Sequence, residues 1–250
     1  MLFFLLSNRY FQFSYGFAVA GFVDVESATY FQLENRCNYT LWPGTLSGNG
    51  VAILGDGGFS LAPGLSVSLV APPGWSGRFW ARTGCHFDGA GQGRCLTGDC
   101  GGLQCRFGGA APVTLAEFTL ATSSSDKDFY DVSLVDGYNV EVGVRAIRGT
   151  GDCQYAGCVA DLSSLCPEEL QVKDGNSVVA CKSACAAFNT AEFCCIGDHS
   201  TPETCGPTQY SQLFKKACPT AYSYAYDDPS STCTCSGADY VITFCPSGSS

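Results

Sequence analysis

The chain has 250 residues, 46% of them apolar, with 17 Cys, 30 Gly and only two His, and a net charge of −10. That length and apolar share allow one large unit, or two to three small ones around a shared core. Without a basic run, nucleic acid and anionic membrane are poor direct partners. His86 and His199 are too few to complete paired zinc knuckles, so neither metal nor cofactor is expected.

Residues 1–27 read as an export leader. Apolar Met1–Leu6 and Phe11–Ala20 are interrupted at Asn8-Arg9-Tyr10, and small residues place the cleavage after Ala20 or after Ser27. Loss of Arg9, Asp24 and Glu26 leaves 12 basic against 21 acidic residues, or −9. Asn38-Tyr39-Thr40 is an N-glycosylation sequon, meaningful in an exported chain. Tyr30–Leu33, Leu65–Val70, Arg78–Arg82, Thr114–Ala121 and Asp131–Val135 are short runs rich in aromatic and β-branched residues. Gly and Pro turns separate them, and Tyr138–Ile147 and Tyr240–Phe244 extend the pattern. The spacing predicts an antiparallel sandwich or barrel. Gly84–Gly109 is Gly-rich, nearly devoid of aliphatic residues and carries four Cys, so cross-links must order it. From Asp161 to Pro219 the apolar period changes. Helical spacing appears around Ser183–Cys195 and at Gln209–Ala217, with Pro207-Thr208 ahead of the second run and Lys215 and Lys216 in its last turn.

The cysteines run from Cys37 to Cys245, eight of them between Cys153 and Cys205. This scatter reads as a disulfide framework formed in an oxidising compartment. Spacing alone does not choose among the pairings.

Gly91-Gln92-Gly93-Arg94-Cys95-Leu96-Thr97-Gly98-Asp99-Cys100-Gly101-Gly102-Leu103-Gln104-Cys105 resembles the signature of thaumatin-like, pathogenesis-related proteins, G-x-G-x-C-x-T-G-D-C-G-G-x-x-C. Asn35–Trp42, Trp80–Cys85, Thr114–Phe118, Cys205–Thr208 and Ile242–Pro246 are similar to the same family, so the likeness runs from Ala28 to Pro246. The resemblance implies a mainly β fold, a flattened antiparallel β-sandwich formed by residues 28–82, 113–159 and 219–248. It adds a small disulfide-rich loop domain at 83–112 and a helical disulfide-rich lobe at 160–218. It also implies the pairs Cys37–Cys245, Cys85–Cys95, Cys100–Cys105, Cys153–Cys235, Cys158–Cys218, Cys166–Cys181, Cys185–Cys194 and Cys195–Cys205. Cys233 is left over, either a buried small hydrophobe or a free thiol able to mispair with Cys153 or to form a dimer.

By the same resemblance, Arg78, Glu117, Asp131, Asp136 and Asp227 (with Asp228 adjacent as its alternative) line an acidic inter-domain cleft. Clustered carboxylates repel, which raises the pKa of at least one and fits glycoside hydrolysis. Glu117 is the expected acid and Asp131 or Asp136 the base. Asp131 and Asp136 are five apart, on opposite faces of a strand unless Asp136-Gly137 turns the chain. Trp80, Phe118, Tyr130, Tyr222 and Tyr224 are candidate sugar-stacking rings, with Trp80 and Phe118 read as core. The resemblance implies a secreted, monomeric plant defence protein of the apoplast or cell wall. It would act against fungi by binding β-1,3-glucan or another fungal cell-wall polysaccharide, with weak endo-β-1,3-glucanase activity. The alternatives are a non-enzymatic protein that perturbs fungal membranes or one that inhibits a secreted hydrolase.

Overall fold

The computed structural model describes residues 28–248 apart from Asn49 and Val51; the expected leader and its cleavage points lie outside the described residues. One five-stranded sheet is built from β1 (Thr29–Asn35), β3 (Ser66–Ala71), β9 (Val142–Ile147), β10 (Ala156–Gly157) and β14 (Asp239–Phe244), in the order β10-β9-β14-β1-β3. The other is built from β2 (Gly44–Ser47), β4 (Ser76–Trp80), β7 (Leu115–Thr119), β8 (Asp128–Ser133) and β13 (Cys233–Cys235), in the order β13-β8-β7-β4-β2. All pairings are antiparallel except β1 with β14. Alternating side chains give each sheet one buried face. Phe31 and Tyr240 from the first sheet meet Phe79, Phe118 and Tyr130 from the second, with Trp75 beside them. The Phe31 and Phe118 centroids lie 4.7 Å apart, edge to face. The fold is thus the mainly β sandwich that the sequence predicts.

Residues 83–112 form a loop region whose regular structure is the hairpin of β5 (His86–Phe87) and β6 (Gly93–Arg94). Cys85–Cys95 and Cys100–Cys105 staple it, and a buried Arg82 joins it to the sandwich. The Arg82 guanidinium and Nε donate to the carbonyls of Trp42 (2.8 Å), Gly102 (2.6 Å), Leu103 (2.8 Å) and Pro43 (3.3 Å). The site satisfies a buried cation with carbonyl dipoles rather than a carboxylate, a task suited to the rigid five-donor fork of Arg. Trp80 anchors the same junction. Its indole donates to Gly98 O at 2.9 Å, and a Cβ on Gly44 or Gly109 would come within 2.5 Å of its ring. Only glycine admits that approach.

The 160–218 lobe is less helical than its apolar period implies. Two 3₁₀ turns, Ser163–Leu165 and Glu168–Leu170, lead into the hairpin of β11 (Gln171–Asp174) and β12 (Ser177–Cys181). The run at Ser183–Cys195 divides into α1 (Ala184–Phe188) and α2 (Ala191–Cys194), because Asn189 turns left-handed at φ 50°. Such a residue ends a helix. α3 (Gln209–Ala217) is capped by Thr208. Its side chain accepts from Ser211 N at 3.3 Å, while Ser211 Oγ accepts from Thr208 N at 2.7 Å. A short α4 (Asp228–Ser231) follows.

Eight disulfides hold the ensemble: Cys37–Cys245, Cys85–Cys95, Cys100–Cys105, Cys153–Cys235, Cys158–Cys218, Cys166–Cys181, Cys185–Cys194 and Cys195–Cys205. Cys233 is unpaired and buried. Among the described residues, no helix is long and apolar enough to cross a membrane, and no cluster of His, Cys, Asp and Glu is arranged to hold a metal ion.

Candidate functional site

Three neighbouring strands bring three charged side chains into one row. Arg78 on β4 stands directly across from Glu117 on β7, which stands directly across from Asp131 on β8. Strand alternation explains why this row faces outward. Phe79, Phe118 and Tyr130, each one residue away, fill the core, so Arg78, Glu117 and Asp131 project from the opposite face. Directly opposed residues have Cβ atoms about 4.5–5.5 Å apart. Arg78 Nη1 lies 3.9 Å from Glu117 Oε1, with both side chains partly exposed.

A loop returning from the lobe closes the Asp131 end of the row. Tyr222 N donates to Val132 O at 2.8 Å, and Leu134 N donates to Tyr222 O at 2.8 Å, which pins Tyr222 alongside β8. The Tyr222 hydroxyl donates to Asp228 Oδ1 at 2.9 Å and pairs with the Thr232 hydroxyl. Asp131 Oδ1 is buried and has no hydrogen-bond partner among the described residues. Burial, then the charges of Glu117 and Asp228, push the Asp131 carboxyl up to about 8. The Glu117 carboxyl is also raised by burial; Arg78 opposes the shift and Asp136 adds to it.

The upward shift favours the protonated form of Asp131 at neutral pH, while Glu117 lies beside the Arg78 guanidinium. Asp136 joins the same side of the sheet because the chain turns after β8. Gly137 N donates to Leu134 O at 2.9 Å, with Gly137 in the left-handed region at φ 95°. Asp136 is exposed and lines a pocket of about 160 Å³ against the lobe, with Tyr224, Phe193 and Tyr210 among its walls.

Asp227 has another task. Its carboxylate accepts from Lys215 Nζ at 2.9 Å, from Ser223 N at 3.0 Å and Ser223 Oγ at 2.7 Å, and from Ser230 Oγ at 3.1 Å. Burial alone would raise this carboxyl, but Lys215 and Ser223 outweigh it and hold it below the usual carboxylate range. Asp227 therefore straps the loop to α3, and its neighbour Asp228 is the acid whose charge reaches Asp131. Among the aromatic candidates, Trp80, Phe118 and Tyr130 are core, with at most 3% of their surface exposed. Tyr222 and Tyr224 are half-buried on the cleft side. The hydroxyl of Thr232 carried no signal in the sequence, because only the β8–β13 register brings it to the row's end.

Residues 35–246 match the model of the thaumatin family. The chain is 65% identical over 222 residues to a pathogenesis-related thaumatin-like protein of Cryptomeria japonica, covering 88% of this chain and 91% of that one. It is 48% identical over 238 residues to a glucan endo-1,3-beta-glucosidase of Prunus avium, covering 93% and 96%. The solved structure of a thaumatin-like xylanase inhibitor superposes with a TM-score of 0.50 at 26% identity, covering 86% of this chain and 99% of that one. The family-wide match and the eight-disulfide sandwich together show that the chain belongs to the thaumatin family, among its pathogenesis-related defence proteins.

Proposed function

We propose that the protein is a secreted antifungal defence protein of the apoplast or cell wall. It binds β-1,3-glucan along the row Arg78–Glu117–Asp131 and cleaves it slowly as an endo-β-1,3-glucanase. The carrying observation is the pairing of a carboxyl that holds its proton at neutral pH, Asp131, with an in-register neighbour held beside a cation, Glu117. A glycosidase needs that division of states. One carboxylic acid protonates the leaving oxygen, and a charged carboxylate attacks the anomeric carbon or activates water. Asp131 supplies the proton and Glu117 the charge. Adjacent-strand spacing favours the close carboxyl pair, about 5–5.5 Å, of retaining enzymes. Tyr222 and Tyr224 offer ring faces to the sugar, and Asp136 extends the acidic surface towards the lobe. The likeness to a glucan endo-1,3-beta-glucosidase supports the substrate class.

The test is pull-down on insoluble β-1,3-glucan with reducing-sugar release, comparing wild type, Glu117→Gln and Asp131→Asn. Binding retained with release abolished in both variants is expected. Failure of the wild type to bind would sink the glucan reading, and release unchanged in Asp131→Asn would remove the assigned acid.

A second reading, inhibition of a secreted hydrolase, draws on the likeness to the xylanase inhibitor. Slowing of a fungal xylanase by wild type and by both variants alike would favour it. Leakage from glucan-free liposomes would instead point to membrane action.

A further inference from the structure

We infer that Asn38 carries an N-linked glycan whose first sugars occupy a neighbouring groove and shield Trp42. Asn38-Tyr39-Thr40 is the chain's one sequon. Asn38 is exposed in a bend that its neighbours fix from both sides. Cys37 N donates to Asn35 Oδ1 at 2.9 Å, Asn35 Nδ2 donates to Tyr39 O at 2.9 Å, and Cys37 is cross-linked to Cys245. The bend thus holds the Asn38 side chain at the surface.

Beside it lies a groove of about 550 Å³ whose wall includes Tyr39, Thr40, Trp42, Leu96, Asp161 and Val178. Tyr39 is 40% and Leu96 47% exposed, an apolar surface that the described residues leave uncovered. Sugar rings suit such a lining, with aliphatic C–H faces for Tyr39 and Trp42 and hydroxyls for Thr40 and Asp161. A glycan anchored at Asn38 reaches this groove at the high effective concentration of a tethered ligand. None of the groove's residues lines the pocket beside Asp136, so the glycan leaves the acid row free.

Order of synthesis keeps the site open when it is needed. Cys37 and Cys245 are 208 residues apart, and β1 pairs in parallel with β14, which ends at Phe244. Until the last part of the chain emerges, neither constraint exists and the exposed Asn38 is accessible to a transferase. In the transfer the Asn38 amide nitrogen forms a bond to the anomeric carbon of an oligosaccharide. The bond from that carbon to its polyprenyl diphosphate breaks, the diphosphate leaves with the electron pair, and the amide loses one proton to a base.

The proposal rests on passage through a eukaryotic secretory compartment. The full chain should therefore be secreted from a plant or yeast host, where detection of the eight disulfides reports that passage independently. Peptide mapping should find Asn38 glycosylated and converted to Asp on enzymatic release, and Asn38→Gln should lose the added mass. Secreted, oxidised protein with a bare Asn38 overturns the proposal. Of the three Trp, Trp75 and Trp80 are fully buried, so iodide quenching reads Trp42. Removing the glycan from the folded protein should raise the quenching constant and red-shift the emission. Trimming to a single sugar should keep part of the protection, and Trp42→Phe should abolish the response. Equal quenching before and after release overturns occupancy of the groove.

Discussion

Replacing Asp131 by Asn should make the protein more resistant to alkali, with an effect that vanishes in acid. The carboxyl titrates at about 8 in the folded protein and near 3.9 in an unfolded chain. Between those values the native state holds a proton that the unfolded state has released, so stability falls as pH rises, by about 1.4 kcal/mol per unit. The penalty is absent below about pH 4 and complete above about pH 8. Four units set a ceiling of about 5–6 kcal/mol, and rotation of a half-buried carboxylate towards water lowers the expectation to about 3 kcal/mol. Asn keeps the shape and does not titrate. For a chain of this size, about 3 kcal/mol corresponds to a Tm gap of roughly 6–12 °C. Calorimetry with disulfides intact at pH 4, 6.5 and 9 should show the two proteins together at pH 4 and Asp131→Asn ahead by that gap at pH 9. Parallel profiles across the range would refute the assignment of the proton to Asp131, as would a wild type that gains stability towards pH 9.

Three other substitutions probe the surroundings. Asp227→Ala leaves the partly buried Lys215 without its carboxylate and should cost about 2–4 kcal/mol in denaturant unfolding. Asp228→Ala should cost under about 1 kcal/mol and lower the Asp131 midpoint in a carboxyl-carbon NMR titration. Arg82→Lys cannot reach four carbonyls from one ammonium and should destabilise by about 2–5 kcal/mol, with early proteolysis between residues 83 and 112 as its signature. Burial, then the charge of Asp131, pushes the Cys233 thiol up to about 11. A thiol-specific reagent should therefore find no reactive thiol in the native protein at pH 8 and one per chain in denaturant.

The strands at Tyr30–Leu33, Arg78–Arg82 and Tyr240–Phe244 were legible because they are short runs rich in aromatic and β-branched residues between Gly and Pro turns. The short β2 and β13 were not. Gly44–Ser47 and Cys233–Cys235 lack an apolar run, and they become strands only because β4 and β8 offer them an edge. Tyr138–Ile147 reads as one strand, yet pairing with β14 begins at Val142; Tyr138 instead bridges to Cys181 in the lobe. The row of Arg78, Glu117 and Asp131 is visible as three polar residues each beside a core aromatic. What the sequence hides is the shape of the loop beyond α3, so Asp227 and Asp228 looked interchangeable. A carboxylate that meets Lys215 and Ser223 differs from one that meets Tyr222 only through tertiary contacts.

The residues that make the chain recognisable are not those that face the cleft. In the Gly91–Cys105 signature, Asp99 accepts from Cys95 N at 2.8 Å and Gly101 N at 3.3 Å, and Thr97 receives the Asn139 amide at 2.9 Å. Asn139 Nδ2 also donates to Ala81 O at 2.9 Å. These bonds lock the stapled loop onto the sandwich, so a signature match reports the frame. The acid row depends on that frame in a definite way. Its three members sit on neighbouring strands, where ladder hydrogen bonds fix their spacing, and Tyr222 is held by its backbone bonds to Val132 and Leu134. The Cys158–Cys218 disulfide ties the end of α3 back to the strand region at β10. A ligand meeting such a surface orders little of it, so the cost of binding falls mainly on the ligand.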